Sequence, residues 1–163
     1  MKTKPIFTLL ILLTFSFSFS AVAQNSNFSG EWKLDREKTT MANDQLFLSM
    51  VTVQLKKDSL LTTRVYSNGY EEYPFVENLS LDGKDCKINI YDMPRSSKAS
   101  RSASDGSILI ESKTTFYGNN GEEDMIANET WKVDKAGNML TIDFTNKMSG
   151  SEFTGTNYYN KVK

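Results

Sequence analysis

From residue 49 to residue 162 apolar side chains recur at every second position, and tight turns account for most of the interruptions. The stretch SMVTVQL (49–55) sets Val51, Val53 and Leu55 against Thr52 and Gln54. The same alternation returns in LLTTRVY (60–66), FVENLSL (75–81), CKINIY (86–91) and SKASRSAS (97–104). It continues in SILIESKTTFY (107–117), MIANETWKV (125–133), MLTIDFTNK (139–147) and EFTGTNYYNKV (152–162). A period of two is the signature of strands with one face buried. Lys56 to Ser59, Asp82-Gly83, Asp105-Gly106, GNNGEED (118–124), Ala136 to Asn138 and Met148 to Ser151 separate these runs; the two Asp-Gly pairs read as hairpins. With GEWKL (30–34), about ten short strands follow one another. Such a meander predicts an all-β fold, an antiparallel up-and-down barrel of eight to ten strands, because closure removes the exposed edges of an open sheet. Only DREKTTMANDQLF (35–47) reads as a short helical segment after the first strand, with Asp35 as its cap.

The first 23 residues have a different character. Lys2 and Lys4 precede an apolar stretch from Ile6 to Phe19, and Ala21 and Ala23 place small residues before Gln24. This is the pattern of a cleaved signal peptide, leaving residues 24–163 as one barrel domain. The stretch is short for a membrane anchor, and the single cysteine, Cys86, lies far from the cleavage point, so neither stable membrane insertion nor lipid attachment is expected. A periplasmic or secreted location follows. Loss of the two leader lysines takes the net charge from −1 to −3. No polybasic stripe is present, which argues against nucleic acid as a partner. One cysteine cannot form an internal disulfide, so an apolar core must hold the fold, and Cys86 reads as a small buried hydrophobe in phase with Ile88 and Ile90.

The alternation is preceded by NFSGEWKLDREKT (27–39), which carries one of only two tryptophans. FSGEWKLDREKT resembles the opening signature of the lipocalin and fatty-acid-binding superfamily, the calycins. It is most similar to small secreted bacterial lipocalin-like proteins. The resemblance implies a barrel whose first strand begins at Gly-x-Trp, with Trp32 packed across the closed end beneath a cation from near the last strand. Gly30 would let the backbone approach closely. No arginine follows Arg101, so Lys161 or Lys163 would supply that cation, and the second lipocalin signature, Thr-Asp-Tyr, is absent. Trp32 and Gly30 are thus expected as the structural floor of the barrel.

Polar residues on apolar inward rows mark the candidate ligand site. Arg64 shares a face with Leu60, Thr62 and Tyr66, and Arg101 shares one with Ala99 and Ala103. Glu129 belongs to the row Met125, Ala127, Trp131 and Val133. An inward carboxylate needs a partner, because an isolated buried charge costs several kcal/mol. Arg64 or Arg101 could pair with it, or could hold a ligand carboxylate. The ligand-binding set is therefore Arg64, Tyr66, Arg101, Glu129 and Trp131. The alternative is that Glu129 belongs to a structural ion pair. Tyr70, Tyr73 and Phe75 are placed at the barrel mouth. The Ser-rich stretch 93–104 reads as a basic flap or a weak edge strand. The acidic turn 118–124 lacks EF-hand spacing, so no metal site is assigned.

The chain has no histidine, which excludes Ser-His-Asp and Cys-His catalysis and the common zinc sites. No phosphate loop or dinucleotide fingerprint appears, and no cofactor is expected. A carboxylate pair such as Glu129 with Asp143 is the remaining catalytic arrangement, and no spacing specifies it. Three functions follow in order. The first is non-catalytic binding of a small hydrophobic or amphipathic ligand inside the barrel. The second is an interaction module, a packed barrel filled by the side chains of Phe116, Trp131 and Phe144, whose mouth loops meet an envelope protein or glycan. The third is a carboxylate-based enzyme.

Overall fold

The computed structural model describes residues 27–39, 46–118 and 121–163. Ten strands follow in order: β1 (Gly30–Leu34), β2 (Phe47–Leu55), β3 (Ser59–Ser67), β4 (Glu72–Ser80) and β5 (Cys86–Ile90). They continue with β6 (Met93–Arg101), β7 (Ile108–Gly118), β8 (Gly121–Val133), β9 (Met139–Met148) and β10 (Ser151–Lys161). All pair antiparallel in one sheet, in the order β4-β3-β2-β1-β10-β9-β8-β7-β6-β5. The first and last strands pair in the middle of this order, Trp32 opposite Lys161. The edge β4 comes round to β5 and β6 through the Glu77–Arg95 ion pair and the Tyr91 hydroxyl on the Pro74 carbonyl, so the sheet curls into a nearly closed barrel. The leader expected at residues 1–23 lies outside the described residues.

The sequence period becomes a division between inside and outside. Along β7 the residues alternate between buried and exposed from Ile108 to Thr114. Val51, Val53, Leu60, Leu79, Ile108, Ile110, Leu140 and Ile142 form one core with Trp32 and Trp131. Cys86, half-buried, packs against it. No helix among the described residues is long and apolar enough to cross a membrane.

Two ends can be distinguished. The lower end carries Phe28, the connections 56–58, 81–85, 102–107 and 134–138, and the C-terminus. The upper end carries the turns after β3, β5 and β9, the end of β7 with the start of β8, and the residues that follow β1.

Three expectations are corrected. The helical segment after β1 does not appear among the described residues: 36–38 form a turn. Asp35 does act as a cap, its Oδ1 accepting from the backbone N–H of Glu37 at 3.2 Å and Lys38 at 3.3 Å. The Thr39 N–H closes one turn on the Asp35 carbonyl at 3.1 Å. Thr39 Oγ1 then accepts from the Tyr158 N–H at 3.2 Å, and this tie to β10 holds the segment against the sheet. The remainder, 40–45, lies outside the described residues.

Second, Asp82-Gly83 does not make a hairpin. β4 and β5 are the two edges of the sheet, and the chain at 82–83 reaches past β5 to β6, with an isolated bridge from Asp82 to Ser100 and a 2.9 Å bond from Gly83 N–H to the Ala99 carbonyl. Third, β6 is not an edge strand. It pairs along β5 and along β7. The hairpin from β5 to β6 turns on Tyr91 (φ 47°) and Asp92 (φ 67°), a left-handed pair without the glycine that marks the strongest hairpin signals.

Candidate functional site

The lower end is shut by side chains that strand pairing brings together. Trp32, fully buried on β1, donates its indole N–H to the Phe28 carbonyl at 2.8 Å. Lys161, its partner across β10, holds Nζ 5.1 Å from the ring centroid. Gly30 sits at φ 142°, and a β-carbon there would fall 2.6 Å from Lys161 Cε. Absence of that carbon is what lets the lysine lie along the floor.

Above the apolar core the interior becomes polar. Arg64 on β3, with its side chain fully buried, donates Nη1 to Glu129 Oε1 at 2.8 Å. Its Nε lies 3.4 Å from Glu77 Oε2, close enough for an ion pair but not hydrogen-bonded. Glu129 Oε2 accepts the Trp131 indole N–H at 2.7 Å, and the Arg64 guanidinium carbon lies 5.0 Å from that indole's centroid. Arg95 on β6 donates Nε to Glu77 Oε1 at 2.8 Å and Nη1 to Thr114 Oγ1 at 3.0 Å. Ser97 Oγ adds a 2.7 Å bond to Glu77 Oε1. Tyr66 stacks on Phe75 at 5.9 Å, and Arg95 lies over that Phe75 ring at 5.5 Å.

The layer holds two cations and two anions. Desolvation works against ionised Glu77, but Arg64 and Arg95, with hydrogen bonds from Arg95 and Ser97, outweigh it and hold the carboxyl below its ordinary value. Burial likewise works against charged Arg64, and Glu129 and Glu77 more than offset it. Desolvation raises the Tyr66 phenol, with Arg64 pulling the other way, so the hydroxyl stays neutral. Two fully buried side chains keep polar atoms with no hydrogen-bond partner: Arg64 at Nε and Nη2, and Thr62 at Oγ1.

From the level of Glu129 upward the inward rows mix apolar side chains with Glu123 and Asn146 and are only partly covered. Strand alternation puts Phe116, Met125, Phe144, Met148 and Phe153 on the inner face of β7–β10. The first four are half-buried and Phe153 is 58% exposed. Gly155 makes room for the Phe144 ring, because a β-carbon there would approach Cζ to 2.8 Å. Glu123 lies on the same inner row of β8, and its Oε1 is buried without a partner.

Of the residues expected from the sequence, Arg64, Tyr66, Glu129 and Trp131 come together in this layer. Arg101 does not join it: it sits at the lower end of β6 opposite Ile108, and Arg64 takes the place beside Glu129. Gly30 and Trp32 lie at the lower end. Asp143 cannot pair with Glu129, since it occupies the opposite face of β9 and bonds Thr156 at 2.7 Å. Glu77 and Arg95 are additions. Glu77 shares the phase of Phe75 and Leu79, the same signal that marked Glu129, whereas Arg95 is hidden by the proline and serines around it. Tyr70 and Tyr73 lie at the upper end, Tyr70 almost fully exposed. In the acidic turn, Asp124 pairs with Lys113 and accepts from Thr115, and no cluster suited to a metal ion occurs among the described residues.

A concavity of about 470 Å³ lies on β5–β7, lined by Lys87, Ile88, Asn89, Pro94, Arg95, Ser96, Lys113 and Thr115. Register places Lys87, Asn89, Ser96, Lys113 and Thr115 on the outer face of the sheet, and Arg95 is the one lining residue that belongs to the charged layer. Comparison with protein-family models, with curated proteins and with solved structures finds no match for the chain.

Proposed function

We propose that the protein is a calycin-like carrier that receives a small hydrophobic or amphipathic molecule through the upper end of its barrel, without catalysis, in the periplasm or after secretion. The observation that carries this reading is the inner row Phe116, Met125, Phe144, Met148 and Phe153, left partly uncovered at the end opposite the Trp32 floor. Inward apolar surface exposed at one end only is what binding by burial requires. The Gly30–Trp32–Lys161 floor supports the calycin assignment, and the leader pattern of residues 1–23 supports export.

One observation favours a second reading, docking to an envelope protein or glycan. Exposed aromatics lie at or beside each upper hairpin turn: Tyr70, Tyr91, Tyr117 and Phe153. Native mass spectrometry of protein taken from its own host, with thermal melting across a panel of lipids and metabolites, separates the readings. A co-purifying small molecule, or a rise in melting temperature with an amphiphile, is the outcome expected of a carrier. The absence of both would defeat it.

A further inference from the structure

The charged layer limits what polar group a ligand can bring, if the carrier reading holds. Arg64 is the natural anchor for a carboxylate, yet its charge is already matched. Nη1 belongs to Glu129, and Glu77 stands 3.4 Å from Nε. Glu77 in turn is held by Arg95 and Ser97. A ligand carboxylate would make three anions against two cations in a water-poor interior, and unmatched buried charge is costly. It would also pass Glu123, whose inward Oε1 has no partner.

What the layer leaves unpaired is a donor on Arg64. Arg64 Nη2, on a side chain that is fully buried, has no hydrogen-bond partner among the protein's own atoms, and neither has Thr62 Oγ1 two residues away on the same face. A buried donor without an acceptor carries a free-energy penalty, relieved by any oxygen that accepts from it. We propose that the ligand is an uncharged amphiphile whose inner end is an ester carbonyl or alcohol oxygen accepting from Arg64, and that the balanced layer discriminates against fatty carboxylates.

The test uses displacement of Nile red from the delipidated protein by hexadecanol, methyl hexadecanoate, sodium hexadecanoate and hexadecane at neutral pH. The alcohol and the ester should compete at least about tenfold more strongly than the carboxylate, and more strongly than hexadecane. Glu129→Gln removes one anion from the layer and should bring the carboxylate level with the ester; Glu77→Gln serves the same end if the first variant does not fold. Carboxylate binding equal to or tighter than ester binding in the wild type overturns the inference, and that comparison needs no variant. Hexadecane matching the ester overturns it too, because the polar layer is then not engaged. Failure of Nile red and of every probe to bind defeats the carrier reading itself, a result distinct from binding with the wrong preference.

Discussion

Trp32 and Trp131 are alike in local respects and opposite in what they do for the barrel. Each is fully buried. Each donates its indole N–H, at 2.8 Å to the Phe28 carbonyl or 2.7 Å to the Glu129 carboxylate, and each has a cation about 5 Å from its ring, Lys161 or Arg64. The difference lies in how the cation is held. Lys161 is half-buried, keeps access to water and arrives by strand pairing with Trp32. Arg64 is sealed inside and depends on carboxylates from β4 and β8. A ring under a wet cation makes a plug from local parts. A ring under a dry one becomes part of a network joining β3, β4, β6, β7 and β8, where no member can be removed without stranding another.

The contrast can be tested by removing each element in turn. Arg64→Met leaves Glu129 and Glu77 short of a cation, and breaking buried pairs in this way costs about 3–5 kcal/mol; urea unfolding should show a loss of that size. A loss below about 1 kcal/mol would mean that the layer is not held by charge. Glu77→Gln should be next, at about 2–4 kcal/mol near neutral pH. Its effect carries a pH signature. Because the folded pKa of Glu77 is depressed, the carboxylate's stabilisation is complete above its ordinary 4.5 and is lost as pH falls through the lower folded value. The wild-type advantage over this variant should therefore be flat from neutrality to about pH 4.5 and shrink below it. An advantage unchanged in acid would assign the effect to packing instead. The smallest change is expected at the floor: Lys161→Met removes a partly exposed cation–π contact worth about 0.5–1 kcal/mol. A loss as large as that for Arg64→Met would erase the distinction between the two tryptophans.

Much of the barrel wall is legible in the sequence because inward phase is a local property. The row Leu60, Thr62, Arg64, Tyr66 and the row Met125, Ala127, Glu129, Trp131 can be read strand by strand. Glu77 is equally legible, sitting between Phe75 and Leu79. Arg95 is harder, since Pro94 and the following serines weaken the strand signal on which phase depends. The hairpin at Tyr91-Asp92 carries no glycine, and the Asp-Gly at 82–83 carries a turn signal for a hairpin that does not form.

The sequence alone therefore determined the strand meander, the presence of Trp32 in β1 and the inward phase of Arg64, Glu77 and Glu129, because each is set by residues a few positions apart. Which of those charges meet was decided only by tertiary structure. Arg64 and Glu129 are 65 residues apart. Their contact, the matching of two cations to two anions, and the donor left over at Arg64 depend on how the sheet curls and which strands face each other across the interior, and alternation within a strand contains no record of that.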